Sequence, residues 1–272
     1  MTQIFFAVPG YANRVNDLLV AGSPQSTEAV VFFGGDIQDL EVVMGAHREA
    51  ATFSRWSLEK TTRLLEGQFA NHLIVAVRPS RRQDIVLSCF DNFVKSTDAV
   101  SPSEHAPNQH ALEHLDLLLE SLSGLLGEVD FHRHLSCVKI VGFSKGCVVL
   151  NQLVYEFPTW LAQNSAVSAP SILRKIGRMY WLDAGHSGPV EYWITQPRLL
   201  DSLRELNVGV HVVISPYQVG NLRRPSYVPQ LEEFLRICGQ LGVLKDVTKL
   251  HEGKAFADAT IDDHFDTLLH LP

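Results

Sequence analysis

Residues 138–147 read Val-Lys-Ile-Val-Gly-Phe-Ser-Lys-Gly-Cys. The apolar run before Gly142 predicts a strand that is buried on both faces, and the pattern that starts at Cys147 predicts a helix. Between them lies G-x-S-x-G, in which a strand turns directly into a helix and holds a serine in a strained conformation. Gly142 and Gly146 are required because a larger side chain would crowd the turn. The stretch predicts that Ser144 is a nucleophile, although a turn of small residues without a catalytic role would have the same sequence pattern.

Short apolar runs alternate with longer amphipathic stretches on both sides of this turn. Strands are predicted at residues 4–8, 29–33, 73–77, 138–141, 179–182, 208–214 and 247–250. Helices are predicted at residues 41–66 (broken), 110–126, 145–155, 198–206, 229–241 and 262–271. With the serine turn, this alternation predicts an α/β-hydrolase-like fold, a doubly wound, mostly parallel sheet with helices on both faces. We expect one domain over residues 1–272, in which the irregular segment 79–108 is a lid, a loop insertion or a solvated loop.

Length, composition and charge exclude several classes of protein. A chain of 272 residues, 46% of them hydrophobic, can build a core without disulfide bridges. Its scattered cysteines contain no C-x-x-C pair, and we expect them to be buried, reduced thiols: Cys89, Cys137, Cys147 and Cys238. The net charge of −7 disfavours a nucleic-acid-binding protein. No run approaches the roughly 18 apolar residues of a membrane span.

The beginning of the sequence, MTQIFFAVPGY, bears on localisation. No basic region precedes its apolar run and no small-residue cleavage site follows, so a first strand is predicted rather than a targeting peptide. This interpretation favours the cytoplasm.

A serine nucleophile needs an acid and a histidine base, which follow it along the chain in that order in this fold. Asp183 ends the strand after the nucleophile helix, at the sheet edge where such sites lie. The usual alternative position, after the next strand, reads Ile-Ser-Pro-Tyr-Gln at residues 214–218 and holds no carboxylate. We therefore predict that Asp183 is the acid, although turns also favour aspartate.

His264 is the best candidate for the base among the twelve histidines. It follows the last predicted strand, in the sequence Asp-Asp-His-Phe at the start of the last helix, and a loop of the upper rim there can reach Ser144. The structural alternative is a first-turn histidine beside capping aspartates. His251 and His186 are the second and third candidates.

Backbone N–H groups stabilise the oxyanion of an acyl-transfer reaction. The N–H of Lys145, directly after the nucleophile, is the first predicted donor. The stretch Phe-Phe-Gly-Gly-Asp-Ile, residues 32–37, supplies the second donor: the N–H of Gly35 or of Asp36 fits this place, and we predict Gly35. A glycine turn that merely closes a strand would have the same sequence.

Charged residues near these segments are candidate substrate contacts. Asp36 lies in the predicted oxyanion loop, and Arg81 and Arg82 could meet an anionic group or simply belong to a solvated loop. The charge of Lys145 could favour an acidic substrate or point to solvent. No metal ion or organic cofactor is predicted.

Five stretches of the chain resemble one family. They are residues 8–12 (VPGYA), 32–38 (FFGGDIQ), 87–93 (LSCFDNF), 142–152 (GFSKGCVVLNQ) and 262–265 (DDHF). FFGGD and GFSKG are the most specific, and the set resembles the family named after human chromosome 2 open reading frame 69. The resemblance implies an α/β-hydrolase-like fold and a serine nucleophile at Ser144. From the vertebrate member it implies mitochondria as the alternative location, and it implies no substrate.

These features together predict a serine hydrolase that is esterase-, lipase- or thioesterase-like and acts on a small-molecule ester, thioester or lipid-like substrate. We predict no nucleic-acid partner and no transmembrane segment. Two other functions stay open. One is a catalytically silent member of the fold that binds a ligand or partner, and the other is a nucleotide or phosphate binder that uses a helix N-terminus.

Overall fold

The structure is a computed structural model that describes residues 2–84, 86–96, 101–102, 104–127, 131–162, 169–188, 190–221 and 223–271. Its strands are β1 Gln3–Pro9, β2 Val15–Ala21, β3 Glu28–Phe33, β4 Leu73–Val77, β5 Arg81–Gln83, β6 Leu87–Cys89, β7 Cys137–Phe143, β8 Ile176–Leu182, β9 Gly209–Ile214 and β10 Leu244–Lys249. The α-helices of the described residues are α1 Glu41–Gly45, α2 Leu58–Gln68, α3 Ala111–Leu126, α4 Phe131–His134, α5 Cys147–Ala162, α6 Pro197–Glu205, α7 Pro216–Val219, α8 Tyr227–Gln240 and α9 Ile261–Asp266.

Eight strands form one sheet in the order β1-β2-β4-β3-β7-β8-β9-β10. From β4 to β10 in this order the strands run parallel, and β2 is antiparallel to both of its neighbours. Strands β5 and β6 form a separate antiparallel hairpin. The predicted doubly wound, mostly parallel sheet is therefore confirmed. Strand β7, which leads into Ser144, is one of the two central strands.

Side chains of the central strands alternate between two apolar cores, one on each face of the sheet. Along β8, Met179 and Trp181 enter the larger core, whereas Tyr180 and Leu182 enter the smaller one. Residues of α3, α5 and α8 belong to the larger core, and residues of α2 and α9 to the smaller one. Burial on both faces explains why these strands read as continuous apolar runs.

Three of the places where the structure can be compared with the predicted elements are β2, the stretch 41–66 and the segment 79–108. The apolar pattern did not predict β2, in which the polar residues Asn16 and Asp17 follow Val15. The helical stretch predicted as broken over residues 41–66 is indeed divided into α1 and α2, with a 3₁₀ turn at Ala50–Trp56 between them. The segment 79–108 contains the β5–β6 hairpin rather than only irregular chain. Residues 85, 97–100 and 103 lie outside the described residues, and a lid or loop insertion stays a prediction.

Two expectations from composition can be compared with the structure. All four cysteines are free thiols, and three of them are buried, whereas Cys137 at the start of β7 is partly exposed. None of the helices in the described part of the chain has both the length and the apolarity that crossing a bilayer requires.

A buried histidine holds the segment after β1 against α3. Tyr11 N–H donates to Nδ1 of the fully buried His114 at 3.1 Å, and His114 Nε2 lies 2.8 Å from Asn16 Oδ1. These partners assign the neutral ring with its proton on Nε2. Burial, and to a smaller extent the charge of Arg14, lowers the pKa of His114 to about 3.

We expect His114 to make the protein less stable in acid. The unfolded chain binds a proton here near pH 6.5 and the folded chain only near pH 3, so the stability of the neutral ring is lost as the pH falls below about 6.5. Between about pH 6 and 4, wild type should lose about 1.4 kcal/mol of unfolding free energy per pH unit relative to His114→Gln. Glutamine keeps a donor and an acceptor without titrating. Urea denaturation measures the two slopes, and equal slopes would contradict a neutral buried ring. His270→Gln, at an exposed histidine, is the control and should leave the slope unchanged.

Candidate active site

Ser144 occupies the turn between β7 and α5. Its φ of 52° lies in the left-handed region, a strained conformation for a residue with a side chain. A Cβ at Gly146 would collide with the carbonyl of Phe33 at the end of β3, and a Cβ at Gly142 would lie 3.0 Å from the backbone of Cys147. The tight turn therefore depends on both glycines, as the G-x-S-x-G pattern indicates.

Asp183 and His264 form a buried hydrogen-bonded pair. Asp183 directly follows β8, and His264 lies on α9. His264 Nδ1 donates to Asp183 Oδ2 at 2.6 Å, and the two side chains are 7% and 0% exposed, respectively. The carboxylate at Nδ1 assigns the ring proton to that nitrogen. Nε2 is then an acceptor, which is the tautomer that a general base needs.

Aromatic contacts place His264 beside the nucleophile turn. Its ring centroid lies 4.5 Å from that of Phe143, the residue before Ser144, and 5.0 Å from that of Tyr217. Ser144 Oγ makes no hydrogen bond to another residue in the described part of the chain. Catalytic hydrogen bonds often tighten only when substrate binds, so this geometry is compatible with a Ser144–His264 bond that forms on binding.

The segment after β3 lies directly against Ser144. A Cβ at Gly35 would be 2.8 Å from Ser144 Cβ, so only glycine permits this approach. The Gly35 N–H, one of the predicted oxyanion donors, donates instead to Gln38 Oε1 at 2.9 Å. Gln38 is fully buried, and its amide donates to Trp56 O just before α2 and to Thr61 Oγ1 in α2, which fixes its orientation.

The β5–β6 hairpin supports the same loop. Ser88 N–H donates to Asp36 Oδ1 at 2.7 Å, and Ser88 Oγ donates to Gly35 O at 2.8 Å. Ile37 N–H donates to Val86 O at 2.6 Å. The N–H groups of Gly35 and Ile37 therefore both have acceptors, whereas the N–H of Asp36 has none among the described residues.

Asp36 and Lys145 bring charges of both signs into the site. The side chain of Lys145 is buried, with 2% exposed. Burial raises the pKa of the Asp36 carboxyl, and the positive charge of Lys145 opposes this rise. Asp36 follows Gly35, which lies against Ser144, and Lys145 follows Ser144 itself, so two buried ionisable side chains belong to the segments that meet there.

The two predicted arginine contacts are in ion pairs. Arg82 Nε lies 2.8 Å from Asp39 Oδ2 in a nearly buried position, and burial lowers the pKa of Arg82. Arg81 Nε lies 2.8 Å from Asp91 Oδ2 at the surface. The structure therefore places Arg81 and Arg82 in different environments, with carboxylate partners of their own.

The second and third candidates for the base lie apart from Asp183. His251 is partly exposed, and its Nε2 lies 3.3 Å from Asp266 Oδ2. The ring nitrogens of His186 lie 3.0 and 3.3 Å from backbone carbonyls of its own loop. Burial lowers the pKa of His186 to about 4. Among the contacts of the described residues, neither histidine meets Asp183.

One group of possible metal ligands occurs within the described ranges. His251, Asp263 and Asp266 have ligand atoms within 4.8 Å of one another. Lys254 Nζ lies 2.7 and 2.6 Å from the two carboxylate oxygens of Asp263, so an ammonium group already supplies a cation there. The arrangement is that of a salt-bridge cluster at α9.

Three side chains that shape the site were not predicted from the sequence. Gln38 and Ser88 lie in the stretches FFGGDIQ and LSCFDNF, so the family resemblance was the signal that could have found them. Ser215 N–H donates to Asp183 Oδ1 at 2.9 Å, and Ser215 Oγ donates to Asp183 Oδ2. Ser215 lies in the stretch that was searched for an acid, and a serine after a strand carries no distinctive pattern.

The sheet order, the strained serine after a central strand and the Asp–His pair beside it define an α/β-hydrolase fold. A solved structure from Lactobacillus plantarum, described as a proposed carboxylesterase, matches with a TM-score of 0.50. The match covers 97% of this chain and 91% of that chain at 11% sequence identity. At this identity the likeness shows the fold alone.

The chain belongs to the C2orf69 family. The family profile matches residues 4–136 and 130–244. The Danio rerio relative, named mitochondrial protein C2orf69 homolog, is 34% identical over 95% of this chain and 82% of its own length. The Mus musculus relative of the same name is 30% identical over 95% of this chain and 83% of its own length. The resemblance inferred from the motifs is confirmed.

Proposed function

We propose that this protein is a serine hydrolase that forms an acyl-enzyme on Ser144, with His264 as the base and Asp183 as the acid. The observation that carries the proposal is the buried 2.6 Å hydrogen bond between Asp183 and His264, whose ring packs on Phe143 next to Ser144. A strained serine, a neutral imidazole and a buried carboxylate are the groups that acyl transfer requires.

The reaction proceeds in two steps. His264 Nε2 takes the proton of Ser144 Oγ as the oxygen attacks the substrate carbonyl carbon, which forms a tetrahedral oxyanion. The oxyanion collapses, the leaving group departs with the proton from His264, and Ser144 keeps the acyl group. Water then attacks the acyl-enzyme with the same base and releases the acid.

Two backbone N–H groups stabilise the oxyanion. The first is that of Lys145, and the second is that of Asp36. Gly35 is the donor predicted from the sequence, but its N–H already donates to Gln38, and Asp36 fits the sequence as well. An N–H without a protein acceptor, held by a loop that the hairpin braces, can donate to charge that develops in the transition state.

The substrate is a small-molecule ester, thioester or lipid-like acyl compound. The buried charges of Asp36 and Lys145 support an acyl or leaving group with polar atoms close to the carbonyl. The ion pairs of Arg81 and Arg82 give these two residues less weight as substrate contacts.

We also propose a mitochondrial location. The names of the curated relatives describe them as mitochondrial proteins. The expectation of a cytoplasmic location finds no support in these relatives.

Labelling with a fluorophosphonate probe tests the proposal. An activated serine attacks the phosphorus and displaces fluoride, so wild type should gain one adduct on the peptide that contains Ser144, and Ser144→Ala should gain none. Ser202→Ala is the control. Ser202 is also buried, but its hydroxyl donates to a backbone carbonyl, so this variant should label like wild type. A folded wild type that does not label, or labels at another residue, would contradict the proposal and favour a catalytically silent ligand-binding protein.

A further inference from the structure

The segment that follows β9 contacts both members of the Asp–His pair. Ser215 is buried, and its N–H and Oγ donate to the two carboxylate oxygens of Asp183, the N–H at 2.9 Å. Oδ2, which accepts from Ser215 Oγ, also accepts from His264 Nδ1. The carboxylate is therefore held at both oxygens and cannot rotate away from the imidazole without breaking hydrogen bonds.

Two residues further on, Tyr217 packs on the base. Its ring lies 5.0 Å from the His264 ring with an interplanar angle of 27°. The ring centroid of Phe143 lies 4.5 Å from that of the same imidazole. The described ring pairs include no contact between Phe143 and Tyr217. The imidazole is thus held from two directions, one from the nucleophile turn and one from α7. Helix α7 also packs against α9, which carries His264.

We propose that Ser215 and Tyr217 are positioning residues of the catalytic pair: Ser215 fixes the acid and Tyr217 fixes the base. This inference rests on the proposed function. Asp183 needs such support because its φ of 45° is strained and its carboxylate is fully buried, so its orientation depends on the donors around it. One short turn, Ser-Pro-Tyr, supplies both contacts, so a single rigid element sets the geometry of two residues from distant parts of the chain.

Ser215→Ala tests the contact with the acid. The N–H to Oδ1 remains and the hydroxyl to Oδ2 is lost, so we expect labelling at Ser144 to slow about tenfold. Ser202→Ala is the matched control and should not change the rate.

Tyr217→Leu tests the contact with the base. We expect about a fivefold slower labelling, because one aromatic face of the imidazole is lost, and Tyr217→Phe should restore the wild-type rate because the ring is kept. Tyr11→Leu is the matched control, since Tyr11 stacks on His110 with ring centroids 4.4 Å apart, away from the catalytic pair.

A measurement without chemistry separates this inference from the proposed function. In the NMR spectrum of the full chain, the Nδ1 proton of His264 should resonate far downfield and should shift or broaden in Ser215→Ala and Tyr217→Leu. If wild type does not label but the resonance responds, the hydrolase proposal fails and the positioning roles stand. An unchanged resonance and an unchanged labelling rate in both variants would overturn the positioning roles.

Discussion

Removing the base should slow phosphonate labelling of Ser144 about 10⁴-fold, the expected result for His264→Ala. This loss corresponds to about 5 kcal/mol of transition-state stabilisation. Without the imidazole no group takes the proton of Ser144 Oγ, and a protonated serine is a weak nucleophile at neutral pH. The measurement is the second-order rate constant for adduct formation, followed by intact mass over time. A rate within tenfold of wild type would contradict the role of His264.

Asp183→Asn should approach the same loss for a different reason. The carboxylate accepts from Ser215 N–H, Ser215 Oγ and His264 Nδ1, whereas an amide brings a donor into this arrangement and cannot accept from all three. The imidazole is then favoured in the tautomer with its proton on Nε2, which cannot take a proton from the serine.

The matched controls use a second histidine and aspartate near α9. His251 Nε2 lies 3.3 Å from Asp266 Oδ2. His251→Ala and Asp266→Asn therefore remove a histidine–aspartate contact that resembles the one between His264 and Asp183 but does not involve either residue. Both variants should label at the wild-type rate. If His251→Ala abolished labelling and His264→Ala did not, the assignment of the base would be wrong.

The nucleophile turn could be predicted because its constraint is local. The pattern of residues 138–147 predicts a strand that turns directly into a helix. That geometry requires the glycines on both sides of Ser144. Asp183 and His264 were selected as candidates for the acid and the base by their order along the chain and their places after strands. The structure brings these two together, but the sequence holds no signal for the 2.6 Å contact itself.

From the sequence we predict Gly35 as the second oxyanion donor, whereas the contacts of the loop lead us to propose Asp36. Gly35 and Asp36 are adjacent and both fit the pattern. The difference between them depends on Gln38, whose amide is fixed by α2, and on Ser88 from the hairpin. These are contacts between distant segments, which local patterns do not encode.

The same limit explains the missed strand β2. Its first half contains Asn16 and Asp17, which disfavour a strand on their own. Both polar side chains find their partners in Arg78 just after β4: Asn16 Nδ2 donates to Arg78 O at 2.8 Å, and Arg78 Nη1 lies 2.8 Å from Asp17 Oδ2. The buried parallel strands were predictable because burial on both faces leaves a continuous apolar run.

Gly146→Ala should destabilise the fold by more than about 4 kcal/mol, the range of the most severe substitutions. An added Cβ would collide with the carbonyl of Phe33, a backbone group of a central strand that pairs on both sides and cannot move away. The variant should unfold at a much lower urea concentration or fail to accumulate as folded protein. Any folded fraction should not label, because the displaced turn would carry Ser144 with it.

Gly124→Ala is the control that separates this collision from the general effect of replacing glycine. Gly124 lies on the exposed face of α3, and a Cβ there would meet no atom within 4 Å. Alanine should therefore stabilise the helix by about 0.5 to 1 kcal/mol and raise the urea midpoint, because it reduces the freedom of the unfolded chain. Opposite shifts for the same substitution would show that the turn after Ser144 is limited by space against β3. A Gly146→Ala variant with a wild-type midpoint would mean that the turn can open, and the strained conformation of Ser144 would then need another cause.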